Sequence, residues 1–148
     1  MTDHEEIEVL FRNSMAALHC SLPPEAHAFL DQVWMRLAVH IRAEHKVIFP
    51  ALAEARPDLG ELLQTLREDH DYFMATLAES MNHLRGPSPN FALTKDAVEA
   101  VRLRIKSHNA LEETLIYPAA DQLPSDQQDR ISQDVSRELA FLPKRYSP

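Results

Sequence analysis

One pattern of His, Glu and Pro occurs twice in this chain, and its spacing suits a helix. One copy is His40-Ile41-Arg42-Ala43-Glu44, followed by Ile48-Phe49-Pro50; the other is His108-Asn109-Ala110-Leu111-Glu112, followed by Ile116-Tyr117-Pro118. In both, the Glu comes four residues after the His and the Pro ten after it. An α-helix turns about once every 3.6 residues, so each His and Glu share a face, about 6 Å apart along the axis. Two identical pairs on stripes that should face a core suggest a metal site.

The rest of the chain is written for the same architecture. Gly60 and Gly86 are its only glycines, too few for a turn-rich β protein, and Pro23, Pro24, Pro57, Pro87, Pro89 and Pro124 fall between long periodic segments. The segments read as residues 3–20, 24–54, 58–85, 91–121 and 125–142, with the loop Gly86-Pro87-Ser88-Pro89-Asn90 the clearest break. Pro50 and Pro118 are expected to kink or end the helices that carry them. The apolar stripes follow the i, i+3, i+4, i+7 rhythm of a core-facing helix. The second segment gives Leu30, Val33, Leu37, His40, Glu44 and Val47. The third gives Leu59, Leu63, Leu66, His70, Phe73, Leu77, Met81 and Leu84, and the fourth Val98, Val101, Ile105, His108, Glu112, Leu115 and Ala119. The last segment shows Ile131, Val135 and Leu139 on one face, with Ser125 and Gln128 placed for a capping box, and should pack outside the bundle or mediate association.

The duplication reaches beyond the pairs. Asp3-His4 opens the first segment and Asp69-His70 lies within the third, so each helical hairpin carries one single His and one His/Glu pair. His4 and His70 stand about 15 residues before their helix ends, roughly 22 Å. His40 and His108 stand a similar distance after theirs begin, so antiparallel neighbours would bring all four to one level. His19 fails this test, lying at the loop end.

Bulk properties narrow the partners. A chain of 148 residues is one ordinary domain with room for a core, and 45% hydrophobic residues exclude disorder. A net charge of −8 with no basic run argues against nucleic acid and anionic membrane. No stretch is apolar enough to span a bilayer, and the acidic start is unlike a signal peptide. Lone Cys20 excludes an intrachain disulfide and a cysteine-based zinc site, so the expected compartment is cytoplasmic.

The spacing of His4, His40-x3-Glu44, His70 and His108-x3-Glu112, with Phe-Pro or Tyr-Pro after each pair, resembles the hemerythrin-like (HHE cation-binding) domain. The resemblance covers residues 1–122 and implies an all-α, antiparallel up-down four-helix bundle. Residues 123–148 then form an additional C-terminal helix and tail packed on it. It implies two iron ions in an oxo- or hydroxo-bridged non-haem centre, Glu44 and Glu112 bridging, and the four His as terminal ligands. By symmetry His4 and His40 would serve one metal, His70 and His108 the other. Imidazole and carboxylate also suit manganese and zinc. A typical hemerythrin carrier has a further His one turn after the third-helix His; here that residue is Met74, which leaves a coordination position open. Glu8, one turn after His4, is an additional candidate ligand, or a solvated acid near a helix start.

The expected function is binding or sensing of O2, or of NO or peroxide, by a protein rather than an enzyme, with peroxide turnover left open. One alternative is iron delivery or iron–sulfur repair, with the metal as cargo. Another is a helical interaction module whose metal is structural or absent. The expected partner is a small diatomic ligand or peroxide, and a homodimer stays open. His19, His27 and His83 read as surface residues, and Tyr72, Tyr117 and Trp34 as packing. Glu113 and His45, each beside a ligand, read as outer or surface groups.

Overall fold

The computed structural model describes residues 3–141, and among these every regular element is helical. Helix α1 spans Asp3–His19 and α2 Pro23–Ala43; a π-helical turn, Glu44–Ile48, leads into α3, Phe49–Ala55. A 3-10 turn, Pro57–Leu59, opens α4, Gly60–Leu84. Helix α5 spans Phe91–Leu111, a second π-helical turn Glu112–Ile116 leads into α6, Tyr117–Asp121, and α7 spans Ser125–Leu139. These match the five segments read from the sequence, except that the last helix ends earlier; residue 142 lies outside the described residues.

The prolines do not end their helices. Phe49 N–H bonds to the Glu44 carbonyl and Tyr117 N–H to the Glu112 carbonyl, each reaching back five residues rather than four. Pro50 and Pro118 come next. A proline inside an α-helix has no N–H to give and its ring presses on the carbonyl four residues back. One wide turn just before the ring accommodates both effects, and the rod continues. The extra residue also moves the buried position within the turn by one. Leu115, expected on the buried stripe, is 47% exposed, whereas Ile116 is fully buried.

The chain divides into two compact units whose boundaries fall inside helices. The first comprises Met1–Leu37 and Asp71–Ser107. Its core is Ile7, Phe11 and Leu18 of α1, Leu30, Val33 and Leu37 of α2, Phe73, Leu77 and Met81 of α4, and Val98, Val101 and Ile105 of α5. The Trp34 indole donates to the Met74 carbonyl at 3.2 Å, tying α2 to α4. Arg36 binds Asp3 and Glu6 across α1 and α2. At the end of α1, Leu22 N–H bonds to Ala17 O and Ser21 N–H to Leu18 O, while Ser21 takes φ 54°. This is a Schellman closure with Ser where glycine is favoured.

The second unit comprises Ala38–His70 and His108–Pro148. Phe49, Leu52, Leu63, Leu66, Ile116, Ala119 and Leu123 form its apolar cluster, with Ile131 of α7 packed against it. Helix α7 has no fully buried residue, and Ile131, Val135 and Leu139 are half-buried. Arg42 holds it in place: Nε lies 2.9 Å from Glu138 Oε2, and the guanidinium sits 5.3 Å from the Phe141 ring centroid. The expected capping box is not formed. Pro124 occupies the N-cap, and the Gln128 amide instead donates to the Asp121 and Leu123 carbonyls at 2.7 and 2.6 Å. Pro124 delivers no side-chain acceptor, so Gln128 closes the preceding helix rather than its own.

Candidate metal centre

Four side chains converge in the second unit, and all are buried: Glu44, His70, His108 and Glu112. One ligand atom from each lies within 4.8 Å of the others. The helical repeat explains the convergence. His108 and Glu112 share a face of one rod because four residues make about one turn, and His70 falls on the α4 stripe between Leu66 and Phe73. Each Glu is the first residue of its π-helical turn, so the wide turn begins at the carboxylate that meets the imidazoles.

His40 Nε2 lies 2.8 Å from Glu44 Oε1, and His70 Nε2 lies 3.7 Å from the same oxygen. His108 Nε2 lies 3.4 Å from Glu112 Oε1. His70 Nε2 and His108 Nε2 are 3.0 Å apart. Two nitrogens this close could both reach one ion at ordinary metal–nitrogen distances of about 2.1 Å. Glu44 is 1% exposed and Glu112 fully buried. A carboxylate so far from water is costly unless cations or donors compensate it. The donor set therefore fits a metal: two buried carboxylates and buried imidazoles.

The imidazoles are in the state that ligation needs. Burial pushes His70 down to about 2, and the neighbouring His108, His45, His40 and Arg67 act in the same direction. Burial also lowers His108, against the opposing hydrogen bond to Asp69. Both rings are neutral at pH 7, as a metal ligand must be.

Two outer groups touch the candidate ligands. His45 Nε2 lies 2.8 Å from His70 Nδ1, and Asp69 Oδ2 lies 3.0 Å from His108 Nδ1. His45 also lies against Phe49, ring centroids 5.6 Å apart, and Phe49 stacks on His70 at 5.9 Å with 6° between planes. Asp69 had a legible signal: it takes the i+3 place between Leu66 and Phe73, so an acid stands on the apolar face. His45 had a weaker one, standing one turn before Phe49.

His4 and Glu8 lie in the first unit. His4 is half-buried in the opening turn of α1. Glu8 accepts from Arg102 of α5, with guanidinium nitrogens 2.9 and 2.7 Å from Oε1, so it is engaged as an ion pair rather than as a solvated acid. Met74 is half-buried, and Tyr72 lies under the Arg104 guanidinium at 4.9 Å. Tyr117 packs on the apolar cluster of the second unit. His19 is exposed as expected, but His27 and His83 are half-buried, and His83 Nε2 accepts the Asn90 N–H at 2.9 Å. That contact secures the α4–α5 loop, which loop position alone did not reveal.

Among protein families, the model described as the hemerythrin HHE cation binding domain matches residues 1–120. No curated protein and no solved structure matches the chain.

Proposed function

The chain belongs to the hemerythrin HHE cation binding domain family, a helical bundle here followed by an extra C-terminal helix, and from that premise we propose a non-haem di-iron protein that binds or senses O2, NO or peroxide. The observation that carries the reading is the buried quartet Glu44, His70, His108 and Glu112. His4 and His40 complete the proposed ligand set, supported by the duplicated sequence pattern. A bound iron pair supplies redox contact with a small oxidant.

The protein's own residues set the conditions. Glu44 and Glu112 would hold the metal and offset its charge in a site where water cannot. Neutral His70 and His108 donate nitrogen without adding charge. Phe49, fully buried and stacked on His70, keeps that ring in place and keeps water from it. With Met74 where a carrier has a further His, a bound iron pair would have one protein ligand fewer, which would leave room for a small molecule. Among the described residues no helix is long and apolar enough to cross a membrane. We place the protein in the cytoplasm, where a single thiol such as Cys20 stays reduced.

The test is metal content after anaerobic purification, followed by the visible spectrum before and after O2 is added. Two irons per chain with a new visible band on oxygenation support the proposal. The lifetime of that band separates reversible binding from turnover. Iron that passes readily to an acceptor would make the metal cargo. Zinc, or little metal and no response to oxygen, would reduce the family relationship to one of fold.

A further inference from the structure

An imidazole ligates a metal through whichever nitrogen is bare, and the partner of the other nitrogen decides which one that is. In this protein the buried rings form a line: His45 Nε2 to His70 Nδ1 at 2.8 Å, His70 Nε2 to His108 Nε2 at 3.0 Å, and His108 Nδ1 to Asp69 Oδ2 at 3.0 Å. A histidine can donate or accept at either contact, so the histidines alone leave the direction of the line undefined. A carboxylate only accepts. Asp69 is therefore the member that fixes the tautomer of the ring it touches, His108.

The duplicated sequence supplies the contrast. Asp3 precedes His4 as Asp69 precedes His70. Asp3, however, is bound by Arg36, whose guanidinium lies 3.1 Å from Oδ1. Arg36 stands four residues before His40; the residue four before His108 is Arg104, and its guanidinium lies over Tyr72. One copy thus gives its Asp an arginine. The other buries its Asp to 7% exposure against a ligand imidazole. Burial of an acid there is costly and needs a return.

We propose that Asp69 is a positioning residue of the metal centre: it holds the Nδ1–H of His108, so that the bare Nε2 faces His70 and Glu112 and is the ligand atom. The inference rests on the metal-centre reading above. The hydrogen bond also makes that nitrogen a stronger donor, and loss of such outer partners weakens metal binding by about 10–100-fold.

The experiment uses the full chain and two readouts. Long-range 1H–15N spectra of the 15N-labelled, metal-free protein report the tautomer of His108, and chelator competition reports Zn2+ affinity. The wild type should show His108 protonated at Nδ1. Asp69→Ala should lose that preference and weaken Zn2+ binding by about 10–100-fold, while Asp69→Asn, whose amide oxygen still accepts, recovers part of both. Circular dichroism checks that helicity is kept. Protonation of His108 at Nε2 in the metal-free wild type overturns the proposal without any variant. So does an Asp69→Ala protein with an unchanged tautomer and affinity. A wild type that binds neither Zn2+ nor Fe2+ would overturn the metal-centre reading, and the tautomer would still decide the role of Asp69.

Discussion

Glu112 is a fully buried carboxylate 3.4 Å from the candidate ligand imidazole of His108, so atoms that are costly to bury are also atoms that would hold a cation. Removing them should separate folding from loading. Glu112→Ala or His108→Ala should lower metal from two per chain to one or none, while far-UV circular dichroism changes little. Two tightly held metals in either variant would show that the assignment is wrong. Ser21 makes the opposite test, of stability without function. Its φ of 54° is a region where a β-carbon costs about 1–2 kcal/mol. Ser21→Gly should raise the unfolding free energy by about 1 kcal/mol, less the entropy glycine adds to the unfolded chain, with metal content unchanged. Urea titration measures it, and a destabilised variant would contradict the Schellman account.

Pro50 and Pro118 show what a helix accepts in exchange for a site. Each comes just after a π-helical turn that starts at a candidate ligand Glu. Proline inside a helix costs about 3 kcal/mol against alanine. Pro118→Ala should therefore leave the metal-free melting temperature unchanged or higher, because the wide turn is free to tighten. The same tightening would turn Glu112 and weaken metal binding. A variant that is less stable and binds metal normally would remove the link between the proline and the carboxylate. The elements also show where the sequence was legible. Leu63, Leu66, His70, Phe73 and Leu77 keep an unbroken helical period and are all buried, because a stripe on a regular helix has one phase. Leu115 and Ile116 exchanged roles because a π-helical turn adds a residue that no apolar period records. The His/Glu pairs were legible because four residues is a helical turn. The contacts of Asp69 and His45 were not, since they depend on which ring nitrogen meets which neighbour across two rods.

For the molecule as a whole, the buried histidines make stability depend on pH in a direction that can be worked out. His70 titrates at about 2 in the folded protein against an ordinary value of 6.5, because burial excludes its charged form. In the unfolded chain it takes up a proton near 6.5, so between those values the unfolded state binds more protons than the folded one. Stability from this group is complete above pH 6.5 and is lost as pH falls below it. The slope is about 1.4 kcal/mol per pH unit for each such group. His108 adds to the slope, since its shift has the same direction. Metal acts separately: a ligand held at a thousand times its Kd adds about 4 kcal/mol, or about 8–16 °C for a chain of this size. The measurement is therefore made on metal-free protein. Its melting temperature should be flat from pH 8 to 7 and fall steadily from 6.5 to 5. His70→Phe provides the control, since an apolar ring at that position keeps a stacked neighbour for Phe49 and has no proton to bind. That variant should show a shallower fall by about 1.4 kcal/mol per pH unit. If it falls as steeply as the wild type, the acid sensitivity belongs to other groups and His70 is not buried neutral as the structure has it.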